Sequence, residues 1–167
     1  MKPVKIDNLP EPLRAYQKFN EIKTTTDAIK SQSLSLAKIK KESGEEYTMA
    51  YIIKWIIATN EFINVKNKQT PDQIKLTARY ILQDYYYFKI SDIYLIFTNA
   101  QKGRYGQFYD SIDGSKILSW FESYAKERSE IAESISFLEH DKIKAIEKRE
   151  ESFENVIKDV TKIGKQI

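Results

Sequence analysis

The sequence predicts an all-α protein, a compact helical domain with a long C-terminal helix, and three observations carry that expectation. Apolar residues recur at helical spacing along most of the chain. Thr70-Pro71-Asp72-Gln73 joins an N-cap threonine, a proline at the first helical position and a glutamine at N3, a strong start signal for QIKLTARYILQDYYYF. From Ile117 the residues Phe121, Tyr124, Arg128, Ile131, Ile135 and Leu138 follow at alternating steps of four and three, a heptad seam with one cation in it.

Taken in order, Pro3, Pro10 and Pro12 make residues 1–12 a poor helix, because each lacks an amide donor and biases its predecessor toward extended geometry; this reads as an N-terminal arm. From Leu13 the spacing of Tyr16, Phe19, Ile22, Ile29, Leu36 and Ile39 is mostly helical. Thr24-Thr25-Thr26 is a weak helix former, so one long helix and two shorter ones both fit. Ser43-Gly44 punctuates the pattern, and Glu45-Glu46 favour a new helix start through the macrodipole. The following EEYTMAYIIKWIIATNEFI is apolar nearly all round, which predicts burial of Met49, Ile52, Ile53, Ile56 and Phe62; its length argues against the rival strand reading.

The helix opened by Thr70 is expected to run to about Phe88, and Ser91 to cap the next one, with Asp92 in its first turn and a stop at Gly103. Asp113 is expected to cap the last helix, which a break near Glu139–Asp141 would divide. The chain thus divides into the arm at 1–12, a helical domain at 13–138 and a helical extension at 139–167 continuous with the last helix.

Thirteen of the 21 aromatic residues lie between Tyr80 and Tyr124, on both sides of the turn Lys102-Gly103-Arg104-Tyr105-Gly106, and this concentration is where function is expected. Tyr80, Phe88, Phe97, Trp120 and Phe121 read as core. Lys102 and Arg104 beside Tyr105, Phe108 and Tyr109 suit phosphate contact combined with stacking on a base or a peptide ring, and these five residues form the candidate nucleic-acid or partner-binding surface. In the plainer reading, Gly103 ends a helix, Gly106 takes positive φ, and the rings fill space between helices.

Other chemistry is sparse. His140 is the single histidine and there is no cysteine, which removes histidine triads, thiolate sites and disulfides. Neither a P-loop nor a Gly-x-Gly-x-x-Gly turn is present, so the reading is non-enzymatic, with no cofactor and no metal. The net charge of +3 is too small to imply nucleic-acid binding by itself, and Lys38-Ile39-Lys40-Lys41 reads as a solvated helix end. Met49–Ile57, interrupted by Lys54, falls far short of a membrane span of about 20 residues. Without a secretory signal pattern, the chain is expected in the cytoplasm.

The stretch from Phe88 to Glu133 resembles a segment of small uncharacterised proteins of gut Bacteroidetes, their phages and mobile elements. The shared features are Lys89 to Asp92, Phe97, Ala100, Gly103, Tyr105-Gly106, Phe108-Tyr109, Asp113, Leu118 to Trp120, Tyr124 and Glu127-Arg128. The resemblance covers residues 80 to 133 and brings no established activity. It implies a bacterial host cytoplasm and a role around phage or mobile-element DNA. Two functional expectations follow. The first is a replication accessory that contacts nucleic acid or a replication protein through the aromatic turn. The second is a structural or assembly protein, such as a phage particle component, that forms a homo-oligomer through a coiled coil over residues 117–160.

Overall fold

The computed structural model describes residues 15, 18–63, 66–106 and 112–163, with side chains in the last helix through Asn155 and at Ile157. The arm at 1–12 and the positions Leu13, Tyr16, Phe108, Tyr109, Asp110 and Ser111 lie outside the described residues. Six helices form among the described residues: α1 (Thr25–Lys30), α2 (Leu36–Ser43), α3 (Glu45–Ile63), α4 (Pro71–Asp84), α5 (Ile90–Gln101) and α6 (Gly114–Ile163). The all-α expectation holds. The chain separates into two units, residues 1–129 and residues 130–167.

In the first unit, local chemistry sets most helix ends. Thr24, the first of the three threonines, breaks the N-terminal pattern by capping α1 in a reciprocal box with Asp27. Ser35 caps α2 by accepting from the Lys38 amide at 3.2 Å, and α2 stops at Gly44, whose φ of 93° suits a residue without a side chain. Lys40, in the last turn of α2, pairs with Glu45 at 2.6 Å, and Ile39 beside it is fully buried. Thr70 and Gln73 make the expected capping box of α4 behind Pro71. Asp113 accepts from the Ser115 hydroxyl at 2.7 Å and the Lys116 amide at 2.8 Å at the start of α6. Those two bonds, the hydroxyl's first, hold its carboxyl below the usual carboxylate range. Its stabilisation is therefore present above that range and lost as pH falls through the depressed value.

Three expectations change. α4 ends at Asp84 instead of near Phe88, because the Tyr86 and Phe88 carbonyls accept from the Ala37 amide at 2.7 Å and the Leu36 amide at 2.8 Å. Those amides belong to the first turn of α2 and have no partner within their own helix, so the 85–88 turn satisfies them from outside. An antiparallel bridge between Ser35 and Lys89 continues the tether. Second, α5 begins at Ile90 with Lys89 in the cap position, and Asp92 accepts from the Lys89 amide at 2.7 Å. Ser91 is fully buried; its hydroxyl accepts from Ser33 at 2.8 Å and donates to the Ala28 carbonyl at 3.2 Å. Third, Tyr80 and Phe62 are surface residues, 43% and 66% exposed. Tyr80 points about 100° away from Ile81, which occupies the buried face of α4.

α5 lies at the centre, with every residue from Ile90 to Thr98 buried. α3 packs on α2, α4 and α5, and α1 packs on α5. Phe97 meets Trp55 of α3 in a stacked contact at 5.6 Å and meets Trp120 and Phe121 of α6 edge-on at 6.4 and 5.7 Å. Phe88 faces Phe121 and Tyr124 at 6.2 and 5.5 Å. These geometries are the ones aromatic quadrupoles favour, and they join three helices through side chains that are fully buried or nearly so.

A close approach of α6 to α4 gives a testable consequence. A Cβ built at Gly114 would sit 2.5 Å from Thr77 Oγ1. Thr77 cannot easily turn away, since it is buried, β-branched and donates to the Gln73 carbonyl at 2.8 Å. Gly114→Ala, which improves helix propensity, is nevertheless expected to lower stability by about 1–3 kcal/mol in urea unfolding.

In the second unit, α6 continues unbroken across Glu139–Asp141. His140 is exposed, as expected of a solvated helix histidine. Among the described residues, the hydrophobic core contains none from this unit. Ile131 and Ile135 are partly exposed, and six large apolar side chains of this unit face solvent: Phe137, Leu138, Ile143, Ile146, Phe153 and Ile157 are each more than half exposed.

Candidate functional site

The turn at the end of α5 is built from the backbone outward. The Gly103 amide donates to the Ala100 carbonyl at 2.9 Å and the Arg104 amide to the Asn99 carbonyl at 3.0 Å, the paired bonds of a Schellman motif. Gly103 takes φ of 72° and Gly106 φ of 95°, and a Cβ at either would meet nothing within 4 Å. The demand for glycine there comes from backbone conformation, not crowding. Lys102 and Arg104 are exposed on this fixed turn.

Tyr105 is only partly exposed and stacks on Trp120, with ring centroids 6.1 Å apart and an interplanar angle of 11°. Burial pushes its hydroxyl up to about 12, against the opposing effect of a hydrogen bond with Asn99. One face of the ring is therefore committed to Trp120. Of the five expected binding residues, Lys102, Arg104 and Tyr105 share this turn, while Phe108 and Tyr109 are outside the described residues.

A second constellation surrounds Asp92, which is fully buried. Its Oδ1 accepts from the Tyr124 hydroxyl at 2.6 Å and from Arg128 Nε at 3.1 Å, while Oδ2 takes the Lys89 amide. The Arg128 guanidinium lies 5.9 and 5.7 Å from the ring centres of Tyr87 and Phe88, so aromatic faces as well as a carboxylate hold the charge. Burial, followed by the adjacent Asp92 charge, pushes the Tyr124 hydroxyl well above the ordinary tyrosine range. Lys89 Nζ donates to the Ile29 and Ser31 carbonyls at 2.6 Å each, placing a cation at the C-terminal end of α1. Thr25 donates to Glu127 at 2.5 Å.

This network locks α1, α5 and the start of α6 together. Arg128, the odd cation of the heptad seam, is the partner of Asp92, and the Tyr124–Arg128 spacing of four places both groups over one carboxylate. Spacing identified the cation, and its counter-ion 36 positions away is visible only in the fold. With both carboxylate oxygens engaged and no exposed surface, Asp92 is arranged to hold helices together. Among the described residues, no group of three or more His, Asp or Glu could hold a metal ion, and no helix is long and apolar enough to cross a membrane.

A family model described as a family of unknown function, DUF6633, matches residues 69–158. The match takes in α4, α5, the turn, Asp92 with its three direct partners, and the exposed apolar positions of α6. No curated protein and no solved structure matches the chain.

Proposed function

We propose, for a chain that belongs to the DUF6633 family and takes no activity from that membership, a non-enzymatic helical binding module that works by protein–protein contact through the second half of α6. The observation that carries this reading is the set of large apolar side chains from Phe137 to Ile157, all more than half exposed on a helix segment with no core of its own among the described residues. Apolar side chains gathered along one short segment mark interaction surfaces more often than scattered single ones do. The first unit, by contrast, is tied together by the aromatic core and the Asp92 network.

The assembly role is preferred over nucleic-acid contact because the exposed apolar residues of α6 support it, whereas Tyr105 already has one ring face packed on Trp120. Light scattering on the full chain and on a truncation after Leu138 tests it. The full chain is expected at a multiple of the monomer mass, and the truncated chain as a monomer whose circular dichroism keeps the helical signal of the residues that remain. A full chain that stays monomeric at high concentration contradicts self-association.

A second reading is favoured by the exposed Lys102 and Arg104: contact with nucleic-acid phosphates, as in a phage or mobile-element replication accessory in a bacterial cytoplasm. Fluorescence anisotropy with single- and double-stranded DNA at two salt concentrations is expected to show binding that weakens with salt and with Lys102→Glu/Arg104→Glu. Failure to bind either form at low salt removes this reading.

A further inference from the structure

We infer that the second half of α6 pairs with a second copy of this chain as a parallel, in-register coiled coil. The inference rests on the reading of α6 as an interaction helix and adds the partner, the orientation and the register. Within the second unit, Ile143, Ile146, Phe153 and Ile157 are separated by steps of three, seven and four. This puts Ile143 and Ile157 at a positions and Ile146 and Phe153 at d positions, with Glu150 as the intervening a residue. Their exposures run from 51% to 67%, so these four side chains present apolar surface to solvent on both sides of Glu150.

The flanking charges identify the occupant. In this frame the charged g positions are Lys142 and Arg149 and the charged e positions are Glu147 and Glu154, all exposed, while the remaining g position of the stripe is the uncharged Val156. One flank is basic and the other acidic. In a parallel pair each g residue faces the e residue five positions later on the other helix, which matches Lys142 with Glu147 and Arg149 with Glu154 twice over by symmetry. An antiparallel pair sets g against g and e against e, bringing cations together on one side and carboxylates on the other. The charge pattern is self-complementary in one orientation alone, which favours a second copy over an unrelated helix.

Glu150 weakens the seam, since a parallel pair brings it against its own copy, and a polar a residue fixes register at a cost in affinity. Glu150→Leu is expected to tighten association by about tenfold.

The chain contains no cysteine, so single thiols report orientation directly. Ile143→Cys and Ile157→Cys full-length variants are mixed, oxidised mildly and digested, and the disulfide-linked peptides are identified by mass spectrometry. The parallel register predicts 143–143 and 157–157 links without 143–157 links, because those two positions lie about 21 Å apart along the helix. A predominant 143–157 link overturns the parallel, in-register inference. Absence of any link in a chain that light scattering shows to be dimeric also overturns it, while a monomeric chain defeats the underlying reading of α6 instead. As a second measurement, Arg149→Glu is expected to weaken association about tenfold, with Glu154→Arg added to it restoring the wild-type value; no restoration counts against the parallel register.

Discussion

Replacing Arg128 with methionine is expected to destabilise the protein by about 3–5 kcal/mol, because it leaves the Asp92 carboxylate buried without its cation. Asp92 has no exposed surface and the Arg128 side chain is 17% exposed, so little water can take over the lost contact. Methionine retains the aliphatic packing near Phe88, which separates loss of charge from loss of volume. The Tyr124 hydroxyl and the Lys89 amide would remain on the carboxylate, two neutral donors in place of a full counter-charge. Adding Asp92→Asn to Arg128→Met is expected to recover part of the loss, since an amide is less costly to bury than an unpaired charge. Urea unfolding of the two variants measures this. A loss below about 1 kcal/mol for Arg128→Met would place the pair among surface ion pairs and undo its role as the link between α5 and α6.

The second large effect is expected at Phe97. Truncation to alanine removes a fully buried ring in contact with Trp55, Trp120 and Phe121, and is expected to cost about 3–5 kcal/mol. Global stabilities of about 5–15 kcal/mol leave such a variant close to unfolding at moderate temperature. The cavity would open where α3, α5 and α6 converge, so thermal unfolding should remain one transition for the first unit while its midpoint falls. Phe62→Ala on α3 is the control for loss of a phenylalanine ring, since that ring is 66% exposed and its loss should change stability by no more than about 0.5 kcal/mol.

These two sites show what was legible in the sequence. Phe97, Trp120 and Phe121 could be assigned to the core from aromatic density and helical spacing, and the capping box at Thr70 and the cap at Asp113 from residue type alone. Local chemistry decides those features, and a sequence displays it directly. The end of α4 could not be read, because the Tyr86 and Phe88 carbonyls are occupied by amides of α2 about fifty positions earlier. Ser91 has the composition of an N-cap, yet its hydroxyl is drawn to Ser33 and Ala28, leaving Lys89 in the cap position. Phe62 and Tyr80 look like core by hydropathy, and their helices turn other faces inward.

The candidate surface was legible to a similar extent. The glycine pair announced the turn, and Lys102 and Arg104 are exposed on it, but the stacking of Tyr105 on Trp120 depends on how closely α6 approaches the end of α5. On α6 the heptad seam was visible from Ile117 to Leu138. Its early residues Ile117, Phe121 and Tyr124 are consumed by the core of the first unit. The exposed stripe begins afterwards, with Ile143 one position out of phase with that seam, so the frame useful for association appears only once burial separates the two uses of the helix.

Sedimentation equilibrium of the full chain beside an Ile146→Glu/Phe153→Glu variant tests the central claim that the second half of α6 is an association surface. Concentration-dependent self-association is expected of the wild-type chain, and a monomer with unchanged helical circular dichroism of the variant, because both substitutions fall on exposed positions outside the core. A wild-type chain that sediments as a monomer throughout, or a variant that associates as well as wild type, would contradict it.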